Sequence, residues 1–213
     1  MPVPRIKICG VNSSLALDAT IAARADFCGL NFYPPSPRFA SLALARDLAA
    51  RAAGRIALVG VFVDADDTAI AQACDAARLD VIQLHGQESP ERVAQAKARF
   101  ARPVWKVISV ASPADIDRAA SYADVADLIL FDAKTPKGTL PGGMGLTFDW
   151  SLLSAWKDRA PWGLAGGLTP ANVADAVRQS GAPLVDAASG VESAPGVKDP
   201  ALIAAFCAAA RAS

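Results

Sequence analysis

The sequence contains little of what binding to nucleic acid, to membranes or to metal ions requires. Its 213 residues include 21 Lys and Arg against 21 Asp and Glu, without the basic excess of proteins that bind nucleic acid or anionic membranes. His85 is the one histidine, which argues against a histidine-rich metal site. No apolar run approaches the roughly 18 residues of a membrane span. We expect no signal peptide, because residues 1–4, Met-Pro-Val-Pro, lead into no apolar h-region. We therefore expect neither nucleic acid nor a membrane as a partner.

Cysteine is also scarce and irregularly spaced. The four cysteines, Cys9, Cys28, Cys74 and Cys207, match neither a disulfide scaffold nor the paired spacing of a zinc ribbon. Cys74 and Cys207 lie in alanine-rich segments with a helical pattern, where a free cysteine usually packs as a small hydrophobic residue. Because reduced thiols are typical of the cytoplasm, the sequence predicts a cytoplasmic protein.

Segments typical of β-strands and α-helices alternate along the whole chain. The composition is 53% hydrophobic, and the strand-like segments are continuous apolar runs, which indicates parallel strands covered on both faces. Eight strand-then-helix units without two-residue hairpin turns predict an α/β fold, a single-domain (β/α)8 TIM barrel over residues 1–213. The predicted strands are residues 5–11, 26–33, 56–63, 80–86, 103–108, 126–132, 163–165 and 184–188.

A doubly wound open sheet is the alternative fold. Such a sheet usually carries a G-x-G-x-x-G motif directly after its first strand. Residues 9–12, Cys-Gly-Val-Asn, do not match that motif. The barrel is therefore the preferred interpretation.

Capping residues and prolines mark the predicted helix starts. Ser41 is one such cap, and the pairs at residues 89–90, 112–113 and 169–170 combine Ser or Thr with a following proline. Residues 150–156 predict another helical segment. Residues 134–149 are rich in Gly and Pro, which predicts a loop. Loops of this length are usually functional, so this segment is a candidate for a functional role.

Two pairs of small residues follow the last two predicted strands. Gly166 and Gly167 come after strand seven, and Ser189 and Gly190 come after strand eight. Backbone N–H groups in such turns can approach a phosphate closely, and this end of a barrel is where phosphate sites occur. Either pair alone is more often a tight turn, but both together favour phosphate binding.

A thiol and a carboxyl group lie at the ends of strands that are nearly opposite one another in the predicted barrel. Cys9 ends strand one and Asp132 ends strand six. Groups facing each other across a pocket can act as base and acid on one substrate. The alternatives are a packed thiol at Cys9 and, at Asp132, a cap or a salt bridge with Lys134.

Two further polar residues stand at predicted strand ends. Arg38 lies in a loop that contains three prolines, and its planar guanidinium suits a substrate carboxylate. His85 ends strand four. The alternatives are a solvated surface charge for Arg38 and a structural role for His85.

The motifs and their order resemble the phosphoribosylanthranilate isomerase family of tryptophan biosynthesis over almost the whole chain. Each motif is weak by itself, but their combined order and spacing are specific. The matching segments are residues 7–10 (KICG), 31–38 (NFYPPSPR), 81–86 (VIQLHG), 131–132 (FD), 141–150 (PGGMGLTFDW), 165–173 (AGGLTPANV), 186–192 (DAASGVE) and 195–199 (PGVKD).

This resemblance implies an aldose–ketose isomerisation of a small phosphosugar, without cofactor or metal. In the family, N-(5-phosphoribosyl)anthranilate becomes 1-(2-carboxyphenylamino)-1-deoxyribulose 5-phosphate. The resemblance implies that Cys9 is the general base and Asp132 the general acid. It places Arg38, with His85 and Asp186, at the anthranilate end of the substrate. Phosphate would bind at the two small-residue pairs, Gly166 with Gly167 and Ser189 with Gly190.

The chain departs from the family pattern in three motifs. Ala187 and Ala188 stand where a valine and a serine are usual, which removes one hydroxyl but no backbone donor from the phosphate site. Met144 replaces a threonine in the Gly-rich loop, and Asn12 replaces a threonine after Cys9-Gly10.

Other functions compete with this interpretation. A metal-dependent phosphosugar epimerase would need more histidine ligands than one. A bifunctional isomerase would carry two opposed aspartates, where this chain has Cys9 and Asp132. A non-catalytic binding barrel would not need these groups together. The alanine-rich helices suit a monomer's surface and a dimer interface equally, so both oligomeric states stay open.

Overall fold

The structure is a computed structural model that describes residues 3–133, 147–156 and 159–213. The predicted loop at residues 134–149 lies outside the described residues apart from 147–149, and Lys134 and Met144 lie outside with it. Among the described residues, no helix is long and apolar enough to span a membrane.

In the described chain, eight parallel strands form a closed barrel in sequence order, which confirms the predicted fold. The barrel closes between the first and last strands, where Arg5 pairs with Leu184 and Ile8 with Ala187. The carboxyl ends of all eight strands therefore meet at one mouth. The strands are β1 (Arg5–Cys9), β2 (Phe27–Asn31), β3 (Ala57–Phe62), β4 (Val81–Leu84), β5 (Val104–Val110), β6 (Leu128–Ala133), β7 (Trp162–Leu164) and β8 (Leu184–Ala187).

Helices cover the outside of the barrel. The predicted caps Ser41 and Ser89 are confirmed, since their hydroxyls accept from the N–H groups of Leu44 and Arg92. In place of a helix between β6 and β7, the described residues contain the 3-10 turn Trp150–Ala155. The helices are α1 (Ser14–Ala22), α2 (Leu42–Ala52), α3 (Asp67–Ala77), α4 (Pro90–Phe100), α5 (Pro113–Ala119), α6 (Val173–Ser180) and α7 (Pro200–Arg211).

One cap predicted from the sequence was wrong. Thr169 does not cap α6, because residues 169–172 form a separate turn and Asn172 is the N-cap. An antiparallel hairpin after β8, which was not predicted, is formed by β9 (Glu192–Ala194) and β10 (Val197–Lys198). Its strands are only three and two residues long, too short to give an alternating pattern.

The buried residues divide into an outer and an inner layer. The outer layer lies between the barrel and its helices and includes Ile6, Ile8 and Val185. The inner layer fills the lower barrel with apolar side chains such as Trp105 and Leu184. Because side chains alternate along a strand, residues between the outer positions point into the barrel. Toward the mouth, the inner layer becomes polar.

Candidate active site

A pocket opens at the mouth of the barrel, and all nine predicted site residues line it. This location agrees with the general position of active sites in (β/α)8 barrels. The predicted residues in the lining are Cys9, Arg38, His85, Asp132, Gly166, Gly167, Asp186, Ser189 and Gly190. The lining residues that sequence reasoning missed are Asn31, Ser36, Val61, Gln83, Ala165, Leu168 and Ala188.

Cys9 lies at the bottom of the pocket beside a buried ion pair. Lys7 is two residues earlier on β1 and points to the same side, and its Nζ lies 2.7 Å from Oδ2 of Asp186 on β8. Lys7 is 0% exposed, and its charge acts on the Cys9 thiol. Gly29 on β2 leaves the necessary space, because a Cβ atom there would lie 3.1 Å from Sγ of Cys9 and 3.2 Å from Nζ of Lys7.

The charges around Cys9 act in opposite directions. Burial raises the pKa of the Cys9 thiol, while Lys7 opposes that rise. Burial also disfavours the charged form of Lys7, but Asp186 and Cys9 outweigh it and raise the pKa of Lys7 above its usual range. Burial raises the pKa of Asp186, again against Lys7. The thiol therefore faces a protonated lysine in a site that shields both from water.

Asp132 is held at the opposite side of the mouth by a histidine and a glycine. Nε2 of His85, after β4, lies 3.3 Å from Oδ2 of Asp132. Gly166 packs directly against β6, since a Cβ atom there would lie 2.4 Å from the backbone nitrogen of Ala133 and 3.0 Å from Oδ1 of Asp132. A side chain at position 166 would displace the carboxyl group.

The two small-residue turns both line the pocket and contact each other. Gly166 and Gly167 have φ values of +86° and +63°, which other residues rarely adopt. The side chain of Asn172 closes this turn by donating to the carbonyl of Gly167 and accepting from the N–H of Thr169. A Cβ atom on Gly190 would lie 1.9 Å from the carbonyl oxygen of Leu168, so the two turns are in direct contact.

Arg38 approaches the pocket from the proline-containing loop after β2. The Ser36 hydroxyl accepts from the Arg38 N–H at 3.1 Å, and Nδ2 of Asn31 donates to the same hydroxyl at 3.3 Å. The guanidinium donates to Glu192 on β9 through Nε and Nη2, each at 2.8 Å. Glu192 was not among the predicted residues.

Two buried oxygen atoms in the lining have no hydrogen-bond partner among the described residues. They are Oε1 of Gln83, which is 1% exposed, and Oδ1 of Asp186. An unpaired buried acceptor costs free energy, and a donor on a bound molecule would remove that cost. Polar residues at inward positions of β1 and β4, Lys7 and Gln83, were the available sequence signal for this part of the site.

The fold and the pocket at its strand ends define a (β/α)8-barrel enzyme. Among the described residues, no group of three or more His, Cys, Asp or Glu side chains could hold a metal ion. The model of the N-(5'-phosphoribosyl)anthranilate isomerase family matches residues 6–209, and the chain belongs to this family.

Relatives match over nearly the full length of the chain. The N-(5'-phosphoribosyl)anthranilate isomerase of Paramagnetospirillum magneticum is 53% identical over 212 residues, which are 99% of this chain and 98% of the relative. The crystal structure of the Thermotoga maritima phosphoribosylanthranilate isomerase has a TM-score of 0.89 at 34% identity, covering 99% of this chain and 100% of that one.

A further solved relative contains a bound ligand. It is a phosphoribosylanthranilate isomerase in complex with reduced 1-(o-carboxyphenylamino)-1-deoxyribulose 5-phosphate. The TM-score is 0.87 at 32% identity, and the match covers 99% of this chain and 100% of that one.

Proposed function

We propose that this isomerase converts N-(5'-phosphoribosyl)anthranilate into 1-(2-carboxyphenylamino)-1-deoxyribulose 5-phosphate, with Asp132 as general acid and Cys9 as general base. The observation that carries the proposal is that both side chains line the same pocket, together with Arg38 and the two small-residue turns. The reaction is an internal redistribution of hydrogen, so it needs neither an oxidant nor a reductant.

Asp132 acts first, on the ring of the sugar. Its carboxyl group donates a proton to the ribose ring oxygen, the bond from that oxygen to C1 breaks, and the anthranilate nitrogen forms a Schiff base with C1. His85, 3.3 Å from Oδ2, is placed to orient this carboxyl group. Gly166 supports the geometry because it packs against the backbone at Asp132 without a side chain.

Cys9 acts second, on the open-chain intermediate. The thiolate takes the proton from C2, and the electron pair moves toward the Schiff-base nitrogen to give an enolamine. The C2 hydroxyl then loses its proton as C1 gains one, which leaves the ketone product. Because the protonated Schiff base acidifies the C2 hydrogen, a thiolate is a sufficient base. Lys7 supports the charged form of Cys9 at this step.

The two ends of the substrate are bound by different parts of the mouth. The carboxylate of anthranilate binds the guanidinium of Arg38, with His85 and Asp186 nearby. The phosphate binds the backbone N–H groups of the turns at residues 166–167 and 189–190. The contact between these turns supports a common phosphate site, since Gly190 lies against Leu168.

The test compares four single variants with the wild type. The unstable substrate is prepared in situ, and its loss is followed by fluorescence. Cys9→Ser and Asp132→Asn should each lower kcat by about 100-fold or more, because each removes a proton-transfer group. Their matched controls are Cys28→Ser, on the adjacent strand in the outer layer, and Asp127→Asn, just before the opposite end of β6.

The controls should keep kcat within about twofold of the wild type. A Cys9→Ser or Asp132→Asn enzyme with unchanged turnover would refute the role of that residue. Turnover should also survive a chelator such as EDTA; loss of activity in EDTA would favour the metal-dependent epimerase instead.

The proposed location is the cytoplasm. All four cysteines are free thiols, as expected where thiols are kept reduced. A fusion to a fluorescent protein should therefore be distributed through the cytoplasm. A fusion confined to a membrane or an extracytoplasmic compartment would contradict this location.

A further inference from the structure

The hairpin formed by β9 and β10 carries two buried charges, Glu192 and Lys198, which meet the half-buried Arg38 from the loop after β2. Oε1 of Glu192 accepts from Nε of Arg38 at 2.8 Å and from Nζ of Lys198 at 2.6 Å. Its second oxygen, Oε2, accepts from Nη2 of Arg38 at 2.8 Å. The side chains of Glu192 and Lys198 are 4% and 0% exposed. One carboxylate thus fixes a guanidinium by two bonds and an ammonium by a third.

The hairpin is packed firmly against the loop that carries Arg38. The N–H of Gly196, in the hairpin turn, donates to Oε2 of Glu192 at 3.2 Å. Gly196 has a φ of +81°, and a Cβ atom there would lie 2.3 Å from the carbonyl oxygen of Pro37. On the other side, a Cβ atom on Gly10 would lie 2.5 Å from Cδ of Arg38. The stem of Arg38 is therefore held as well as its charged end.

Lys198 connects this cluster to the proposed phosphate site. Its Nζ donates to the carbonyl of Ala188 at 2.8 Å, and Ala188 directly precedes the turn at residues 189–190. The same carboxylate, Glu192, therefore links the residue proposed to bind anthranilate with the turn proposed to bind phosphate. Glu192 and Lys198 thus connect the two proposed binding regions, although neither of them lines the pocket itself.

The electrostatics keep Glu192 charged. Burial opposes its ionised form, but Arg38 and Lys198 outweigh burial and lower the pKa of Glu192. Burial lowers the pKa of Lys198, and Glu192 opposes that change. Without the carboxylate, two cations would face each other in a buried site, and the guanidinium would move away from its present position.

We propose that Glu192 and Lys198 are positioning residues that orient Arg38 for the substrate carboxylate and hold the start of the phosphate turn. The two-bond contact from Glu192 fixes the plane of the guanidinium before substrate arrives, which lowers the cost of ordering it on binding. The pair acts on substrate affinity rather than on proton transfer. This inference rests on the proposed function of Arg38.

The first test is Glu192→Gln, with KM and kcat measured separately. We expect KM to rise about tenfold and kcat to stay within about threefold of the wild type. Glu192→Asp keeps the charge but is too short for the two-bond contact, so its KM should be intermediate. Calorimetry with reduced 1-(o-carboxyphenylamino)-1-deoxyribulose 5-phosphate should show a Kd that rises in parallel. A kcat loss at unchanged KM and Kd would overturn the proposal.

A double-mutant cycle separates this proposal from that for Arg38. If Glu192 acts through Arg38, Glu192→Gln should raise Kd little further in an Arg38→Ala background. If Kd rises in Arg38→Ala but stays at the wild-type value in Glu192→Gln, the positioning role of Glu192 is refuted. The carboxylate role of Arg38 then stands. Wild-type Kd in Arg38→Ala would refute the carboxylate role of Arg38 and the positioning role with it. Asp127→Asn is the control for losing a carboxylate that pairs with a lysine, because Asp127 lies 2.8 Å from Lys97. This control should leave Kd unchanged.

Discussion

Two buried lysine–carboxylate pairs in this barrel have the same chemistry but different surroundings. Lys106, between the barrel and its helices, lies 2.8 Å from Glu88, and Lys7, inside the barrel, lies 2.7 Å from Asp186. Glu88 also accepts from the N–H groups of Asp64 and Gly86, and Lys106 also donates to the carbonyl of Gly86. Asp186 has an oxygen without a partner among the described residues.

The difference separates a pair satisfied by the protein from a pair in the proposed active site. The Lys106–Glu88 pair is satisfied by the protein itself and fixes the loop after β4. The Lys7–Asp186 pair lies beside Cys9 and keeps one acceptor directed to the pocket. Buried charge alone therefore does not identify a catalytic group; an unsatisfied atom that lines a pocket is the more specific sign.

The largest expected effect is a loss of folding stability when Lys106 or Lys7 is replaced by methionine. Lys106→Met leaves Glu88 as a buried charge, and we expect a loss of about 3–5 kcal/mol in the free energy of unfolding. Lys7→Met should lower the free energy of unfolding less, by about 1–3 kcal/mol. Asp186 can become neutral by taking up a proton, since its carboxylate accepts no hydrogen bonds from backbone N–H groups of the described residues that this proton would disrupt. Urea unfolding at pH 7 measures both. An equal or larger loss for Lys7→Met would contradict the comparison.

The next effect concerns the thiol. The charged groups that act on the Cys9 thiol are Lys7, Asp186 and Lys198. Removing an opposite charge this close should raise the pKa of Cys9 further. At pH 8, the alkylation of Cys9 by iodoacetamide should then be about tenfold slower in Lys7→Met.

Two controls make the alkylation measurement specific. Cys9→Ser gives the background from the other three thiols. Lys106→Met should leave the pH profile of Cys9 unchanged, since Lys106 lies outside the barrel wall. A Lys7→Met profile identical to the wild type would refute the influence of Lys7 on Cys9.

The smallest effect is a change in the pH dependence of stability. An unfolded aspartate has a pKa of about 3.9, and burial raises the pKa of Asp186 in the folded state. Between the two values the folded state holds a proton that the unfolded state lacks, so Asp186 makes stability fall as pH rises. The slope for one proton is at most about 1.4 kcal/mol per pH unit.

Urea unfolding of the wild type and Asp186→Asn from pH 4 to pH 7 measures this slope. The wild type should lose stability relative to Asp186→Asn as pH rises. Glu192 provides the opposite case, because its lowered pKa makes the wild type lose stability relative to Glu192→Gln as pH falls below about 4.3. The same sign for both residues would contradict the assignment.

The barrel and most of the pocket could be predicted because their signals are local. Cys9, His85 and Asp132 stand at or directly after the ends of apolar runs, and parallel topology then brings those ends to one mouth. The cap at Thr169 was wrong for a local reason as well. A following proline is compatible with a turn as well as with a helix, and residues 169–172 form the turn.

The ion pairs of Lys7 and Glu192 could not be predicted because the paired residues are distant in sequence. Lys7 and Asp186 are separated by 179 residues, and Arg38 and Glu192 by 154. Only the closure of the barrel and the packing of the hairpin bring them together. The catalytic roles of the site residues, and the extension of one domain over residues 1–213, stay predictions.

The contact of Gly190 with Leu168 has a consequence for how this site can change during evolution. Any side chain at position 190 would enter the space of the Leu168 carbonyl oxygen, 1.9 Å from its Cβ atom. The turn after β8 therefore cannot acquire a bulkier residue unless the turn after β7 moves in the same lineage. We expect the two segments to co-vary among relatives, so that replacing one by another family member's sequence requires replacing both.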